Sequence, residues 1–122
     1  MIHALQPITP NQAEIDRCPA LRNPAVARCM QVWKRVHRTQ LRETRSESVS
    51  RVRAHEAYLQ AMPPLDSYEN ILDYITCVGY ALTNTFILEE TGASLLNAAK
   101  VALNAIAPRS RSRPNQTCDP NA

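Results

Sequence analysis

Histidines, cysteines and arginines are the side chains that could do chemistry in this chain, and their spacing limits what each can do. His37 and His55 are 18 residues apart; on one straight helix they stand about 27 Å apart, too far to share a metal ion. His55 is followed by Glu56, but Leu59 sits where a second histidine would complete HExxH, and no ExxH run occurs. Both histidines therefore read as polar groups at a core edge or interface. The four cysteines, Cys18, Cys29, Cys77 and Cys118, form no CxxC pair and have no histidine at zinc-ligand spacing. Cys77 lies in an apolar run, where a thiol behaves as a small, inert hydrophobe. Glu69 and Asp73 share a helical face, which the dipole of a first turn explains. Two glycines, Gly79 and Gly92, cannot build a phosphate-cradling loop. The residues thus predict no catalytic group, no metal site and no cofactor.

Arginine is the one lead to a partner. The run "KRVHRTQLRETRSESVSRVR", Lys34 to Arg53, sets Arg35, Arg38, Arg42 and Arg45 three and four residues apart on one helical face. Such a ridge suits a phosphate backbone or an acidic protein, although Glu43 and Glu47 interrupt the positive field. No helix-turn-helix, zinc-finger or RNA-binding signature accompanies it, and a solvated face is the simplest account of the ridge.

The elements that position these residues follow from composition. A chain of 122 residues and 13.7 kDa fits one domain, and 44% hydrophobic with 5% aromatic residues means a core of small aliphatic side chains. With so few glycines, helices are favoured over sandwiches or barrels. Charge is segregated: between Ala25 and Met62 eight basic residues face three acidic ones, whereas between Pro63 and Ala107 Lys100 stands against five acidic residues. Opposite charge favours packing of the two segments on each other, or on the opposite segment of a second copy.

Residues 1–23 carry Pro7, Pro10 and Pro19 without sustained periodicity and read as an irregular arm. Asn23 and Pro24 form a helix start, with Asn as N-cap. From there Val26, Met30, Trp33, His37, Leu41, Thr44, Ser48, Val52, His55, Leu59 and Met62 trace one stripe, predicting a continuous helix of about 57 Å. Thr44 and Glu47 fit a capping box, so a break between Arg42 and Ser46 is the rival; the absence of Gly and Pro favours the unbroken helix. Pro63 and Pro64 stop it. Asp66 or Ser67 caps a second helix reaching Glu90 or Thr91. Ile71, Ile75, Val78, Leu82 and Phe86 form one stripe on it, with Tyr74, Cys77, Ala81 and Leu88 beside it. Gly79 reads as a point of close helix approach. A third helix follows Gly92 and ends at Pro108, so that 24–107 is the helical domain and 108–122 a disordered basic tail.

The run "AMPPLDSYENILDYITCVGYAL", Ala61 to Leu82, resembles the central segment of a group of small uncharacterised bacterial helical proteins, through PPLxxYENIxDxIxCV. That resemblance implies a helical fold and no activity. The uncharged stretch Tyr74 to Leu88 would span about 22 Å as a helix, too short for a bilayer core. The start "MIHALQPITP" lacks a charged segment and a long apolar core, so a reducing cytoplasm is expected.

An all-α fold is predicted, either a long first helix packed on two shorter ones or a small helical bundle. The second helix is too broadly apolar for one neighbour, which predicts a homodimer joined through Ile75, Val78, Leu82 and Phe86. The other arrangement is a folded-back monomer in which the first helix breaks near Thr44 to give a compact four-helix bundle. The functional expectation is a non-enzymatic protein acting through self-association or protein interaction. A nucleic-acid accessory using the Arg ridge is the alternative.

Overall fold

A computed structural model describes residue 13 and residues 18 to 118, with side-chain surroundings as far as residue 106. Among the described residues four α-helices and one 3-10 turn occur and no strand: the turn Pro19–Arg22, then α1 (Pro24–Thr44), α2 (Glu47–Gln60), α3 (Tyr68–Thr83) and α4 (Glu89–Cys118). The expected all-α fold is present, as a small bundle. Most of the arm over 1–23 and the end of the tail lie outside the described residues.

The first helix starts as its residues require. Asn23 Oδ1 accepts from the backbone N–H groups of Ala25 and Val26 at 2.8 and 3.3 Å, and Pro24 needs no partner there. The unbroken first helix is overturned, however, and the rival break is the observed one. The Arg45 N–H donates to the Leu41 carbonyl at 2.9 Å while Arg45 itself takes the left-handed conformation, φ 59°. Ser46 then caps α2 at once, its hydroxyl accepting from the Val49 N–H at 3.2 Å. Thr44 Oγ1 donates to the Gln40 carbonyl at 2.8 Å and accepts from the Ser46 N–H at 3.2 Å. Local side-chain hydrogen bonds thus exit one helix and start the next without glycine. The inward stripe changes with the break: Ser50, Ala54 and Tyr58 are the buried residues of α2, and Val52 is 53% exposed.

Ser67 caps α3, accepting from the Asn70 N–H at 3.1 Å. This helix stops at Thr83, short of the expected Glu90. The Phe86 N–H bonds to the Ala81 carbonyl at 2.8 Å and the Thr85 N–H to the Leu82 carbonyl at 3.1 Å, with Thr85 at φ 57°. That is a Schellman exit with threonine in the place glycine usually fills. Gly92 lies inside α4 rather than ending a helix, and close approach occurs there: a β-carbon at Gly92 would overlap Leu82, whereas one at Gly79 would meet nothing within 4 Å. Helical backbone continues through Pro108 to Cys118, past the expected stop; a proline removes one backbone bond, which weakens a helix without always ending it.

Two helical hairpins result, α1 with α2 and α3 with α4, and they meet chiefly where α1 packs on α3. The core at that junction contains Ala25, Val26, Cys29, Tyr58, Cys77 and Ala81. Asn23 Nδ2 donates to Asp73 Oδ1 at 3.0 Å, tying the start of α1 to α3. No helix among the described residues is long and apolar enough to cross a membrane.

Candidate functional site

The break after Thr44 turns α2 back along α1 and so gathers side chains that are distant in sequence. Trp33 stacks on His37 with ring centroids 4.9 Å apart and planes 8° apart, and on His55 at 6.1 Å. The separation expected for the two histidines on a straight helix is therefore corrected: both belong to one aromatic stack. Phe86, delivered by the exit of α3, lies 5.5 Å from Trp33 and 4.8 Å from His55. Tyr58 meets Phe86 edge-on at 5.2 Å.

A charged clasp closes this stack. Glu47, first residue of α2, accepts from Arg51 Nη2 at 2.8 Å and lies 3.1 Å from His37 Nε2. Hydrogen bonds from Arg51 and then His37 hold the Glu47 carboxyl below its ordinary range. Burial, followed by the charges of Arg51 and His37, lowers the pKa of His55 and favours its neutral form. A cleft of about 300 Å³ opens between these groups, lined also by Asn84, Thr85 and Phe86. Trp33 Nε1 is buried there without a hydrogen-bond partner among the described residues.

Chemically, the cleft offers a neutral imidazole and a carboxylate already bound by two donors. The Thr85 hydroxyl donates to the Asn84 carbonyl at 2.6 Å, so it is engaged rather than poised as a nucleophile. No group of three His, Cys, Asp or Glu side chains able to hold a metal occurs among the described residues. The arrangement suits an aromatic and ionic latch between α1, α2 and the α3 exit.

Of the arginine ridge, Arg35, Arg38 and Arg42 are exposed on α1, and Arg45 is exposed in the turn. The four residues proposed for self-association are placed differently. Val78 is fully buried, Phe86 belongs to the aromatic stack, Leu82 packs on Gly92, and Ile75 is half-buried. The large aliphatic and aromatic side chains left on the surface among the described residues are others: Tyr68, Leu72, Leu88 and Val101 on the α3–α4 side, Val49 and Val52 on α2, and Leu41 on α1. A second hollow, about 320 Å³, runs past Ser48, Val49, Val52 and Arg53. Sequence periodicity places Val52 and Leu88 inward because both helix exits lack a glycine, so the stripes that hold them are carried through breaks that shift them.

Comparison of the chain with known protein families, with curated proteins and with solved structures gives no match. The functional reading therefore rests on the residues themselves.

Proposed function

We propose that this protein is a non-enzymatic helical interaction module that associates with a second copy of itself. The exposed apolar side chains of the α3–α4 hairpin carry the reading, with Leu72 at 42%, Val101 at 60% and Leu88 at 70% exposure. Aliphatic surface of this kind gains by being covered. Charge supports a like partner. Arg28, Arg35, Arg38, Arg42, Arg45 and Arg53 are exposed on the first hairpin, and Asp66, Glu69, Glu89 and Glu90 on the second. In a two-fold dimer the basic hairpin of each chain meets the acidic hairpin of the other, so both contacts form at once.

Light scattering across a concentration series tests this, with a mass of twice 13.7 kDa expected. Leu72→Glu and Val101→Glu should shift the mass to that of one chain while the helical circular dichroism is kept. A single-chain mass for the unaltered protein at high concentration would remove the proposal.

The exposed row of Arg35, Arg38 and Arg42, continued by Arg45, favours a second reading, binding of nucleic-acid phosphates without base recognition. Binding would then be independent of sequence and weakened by salt, and exchanging two of these arginines for glutamine would lower the salt slope on duplex DNA by about 2. Failure to retard DNA or RNA at low ionic strength would leave self-association alone.

A further inference from the structure

The two hairpins are joined where α1 packs on α3, and at that junction Cys29 Sγ lies 4.0 Å from Cys77 Sγ. Neither residue has exposed surface, and the thiols are held by helices on both sides. Around them Tyr58 is fully buried, and its hydroxyl donates to the Cys77 carbonyl at 2.7 Å, fixing the turn that carries the second sulfur. A disulfide requires the sulfurs to approach to about 2.05 Å, so the two side chains must close the 4.0 Å gap between them. The residues are 48 apart in sequence, and they belong to different hairpins.

We propose that Cys29 and Cys77 form a redox pair, which a hydroperoxide converts into an intramolecular disulfide that fastens α1 to α3. The inference does not depend on the self-association reading. In the first step the Cys29 thiolate attacks the distal peroxide oxygen and the O–O bond breaks. Cys29 becomes a sulfenic acid, and the alkoxide or hydroxide leaving group takes up a proton. In the second step the Cys77 sulfur attacks the Cys29 sulfur, the S–O bond breaks, and the thiol proton leaves with the hydroxyl as water. Two thiols lose two electrons and the peroxide is reduced to an alcohol, or to water if it is hydrogen peroxide.

Local electrostatics favour this order of attack. The hydrogen-bonded contact with Cys77 holds the Cys29 thiol below its usual range, against the effect of burial and with help from the neighbouring Arg28 charge. That same contact and burial push Cys77 up, so Cys77 keeps its proton until it resolves the sulfenic acid. Both thiols lack exposed surface, so any oxidant reaches them only through an opening of the junction, and a small hydroperoxide needs the smallest opening.

The test uses the full chain carrying Cys18→Ser and Cys118→Ser, so that only the junction thiols remain. Hydrogen peroxide under native conditions should abolish both thiols toward a reagent added after unfolding. A tryptic digest should then join the peptide that begins at Cys29 to the one that contains Cys77. The melting temperature should rise by about 10 °C or more and return to its starting value on reduction. If the double serine variant does not fold, the same cross-linked peptide is sought in the unaltered chain. Two free thiols after treatment, a sulfinic acid on one cysteine with the other free, or a link between chains would each overturn the proposal.

Discussion

Gly92 of α4 lies so close to Leu82 of α3 that a β-carbon in its place would overlap the leucine side chain. The other glycine, Gly79, sits on the open face of α3 with nothing within 4 Å of a built β-carbon. These positions should respond in opposite ways to alanine. Gly79→Ala should stabilise the fold by about 0.5–1 kcal/mol, through the lower entropy of the unfolded chain and the better helix propensity of alanine. Gly92→Ala gains the same propensity but must displace Leu82, and overpacking of about 1–3 kcal/mol outweighs it. Urea midpoints of the two variants check this, and a stabilised Gly92→Ala would show that the α3–α4 contact is looser than the structure has it.

Both left-handed exits are occupied by residues that favour other conformations, Arg45 at φ 59° and Thr85 at φ 57°. Left-handed backbone costs an L-residue about 1–2 kcal/mol, partly offset in a glycine variant by the greater freedom of the unfolded chain. Arg45→Gly and Thr85→Gly should each raise the melting temperature, with the β-branched Thr85 position gaining more. A fall at Arg45 would mean that the α1–α2 turn is not left-handed in solution.

Those two residues also explain how much of the fold was legible. Asn23-Pro24 and Pro63-Pro64 announce a start and a stop in residue type, and both appear where the sequence put them. Arg45 and Thr85 announce nothing, because their role lies in a backbone angle that serves an exit normally taken by glycine. Ser46 is one of several polar residues in its region, and only its bond to Val49 distinguishes it as a cap. Every error of register follows from these silent exits: the apolar stripe carried through Ser48 and Val52, the helix extended to Glu90, and the wide separation given to His37 and His55. The aromatic stack was illegible for the same reason, since it exists only after α2 has folded back. The exposure of Arg35, Arg38 and Arg42 was legible because they lie within α1, upstream of the first break.

Tyr58 should matter through its ring more than its hydroxyl. The side chain is fully buried, and burial raises the pKa of its phenol, followed by the effect of the nearby thiols. Tyr58→Phe keeps the ring contacts with Phe86 and Tyr80 and loses one hydrogen bond to the Cys77 carbonyl, for about 1 kcal/mol. Tyr58→Ala empties the junction between hairpins and should cost about 3–5 kcal/mol. Denaturant titration of the two variants separates the contributions, and near-equal losses would show that the hydroxyl, not the packing, holds α2 to α3.

His55 makes the stability of this fold sensitive to mild acid. Its pKa lies below the ordinary value of 6.5, first because the ring is partly buried in the stack and then because Arg51 and His37 add positive charge nearby. The unfolded chain therefore takes up a proton on His55 at a higher pH than the folded chain does, and protonation favours unfolding. The contribution is complete above the unfolded value and is lost as pH falls from there through the folded value. Glu47 acts in the same direction, but from its ordinary value of 4.5 downward, so it leaves the first part of the acid limb to His55. Melting temperatures measured between about pH 8 and pH 5 should decline below the histidine range. The variant His55→Phe keeps a ring against Trp33 and Phe86 and should flatten that decline. Nuclear magnetic resonance titration of the imidazole gives the independent reading: a His55 that titrates at or above 6.5, or a variant whose melting curve falls in parallel with the unaltered protein, would place the acid sensitivity elsewhere.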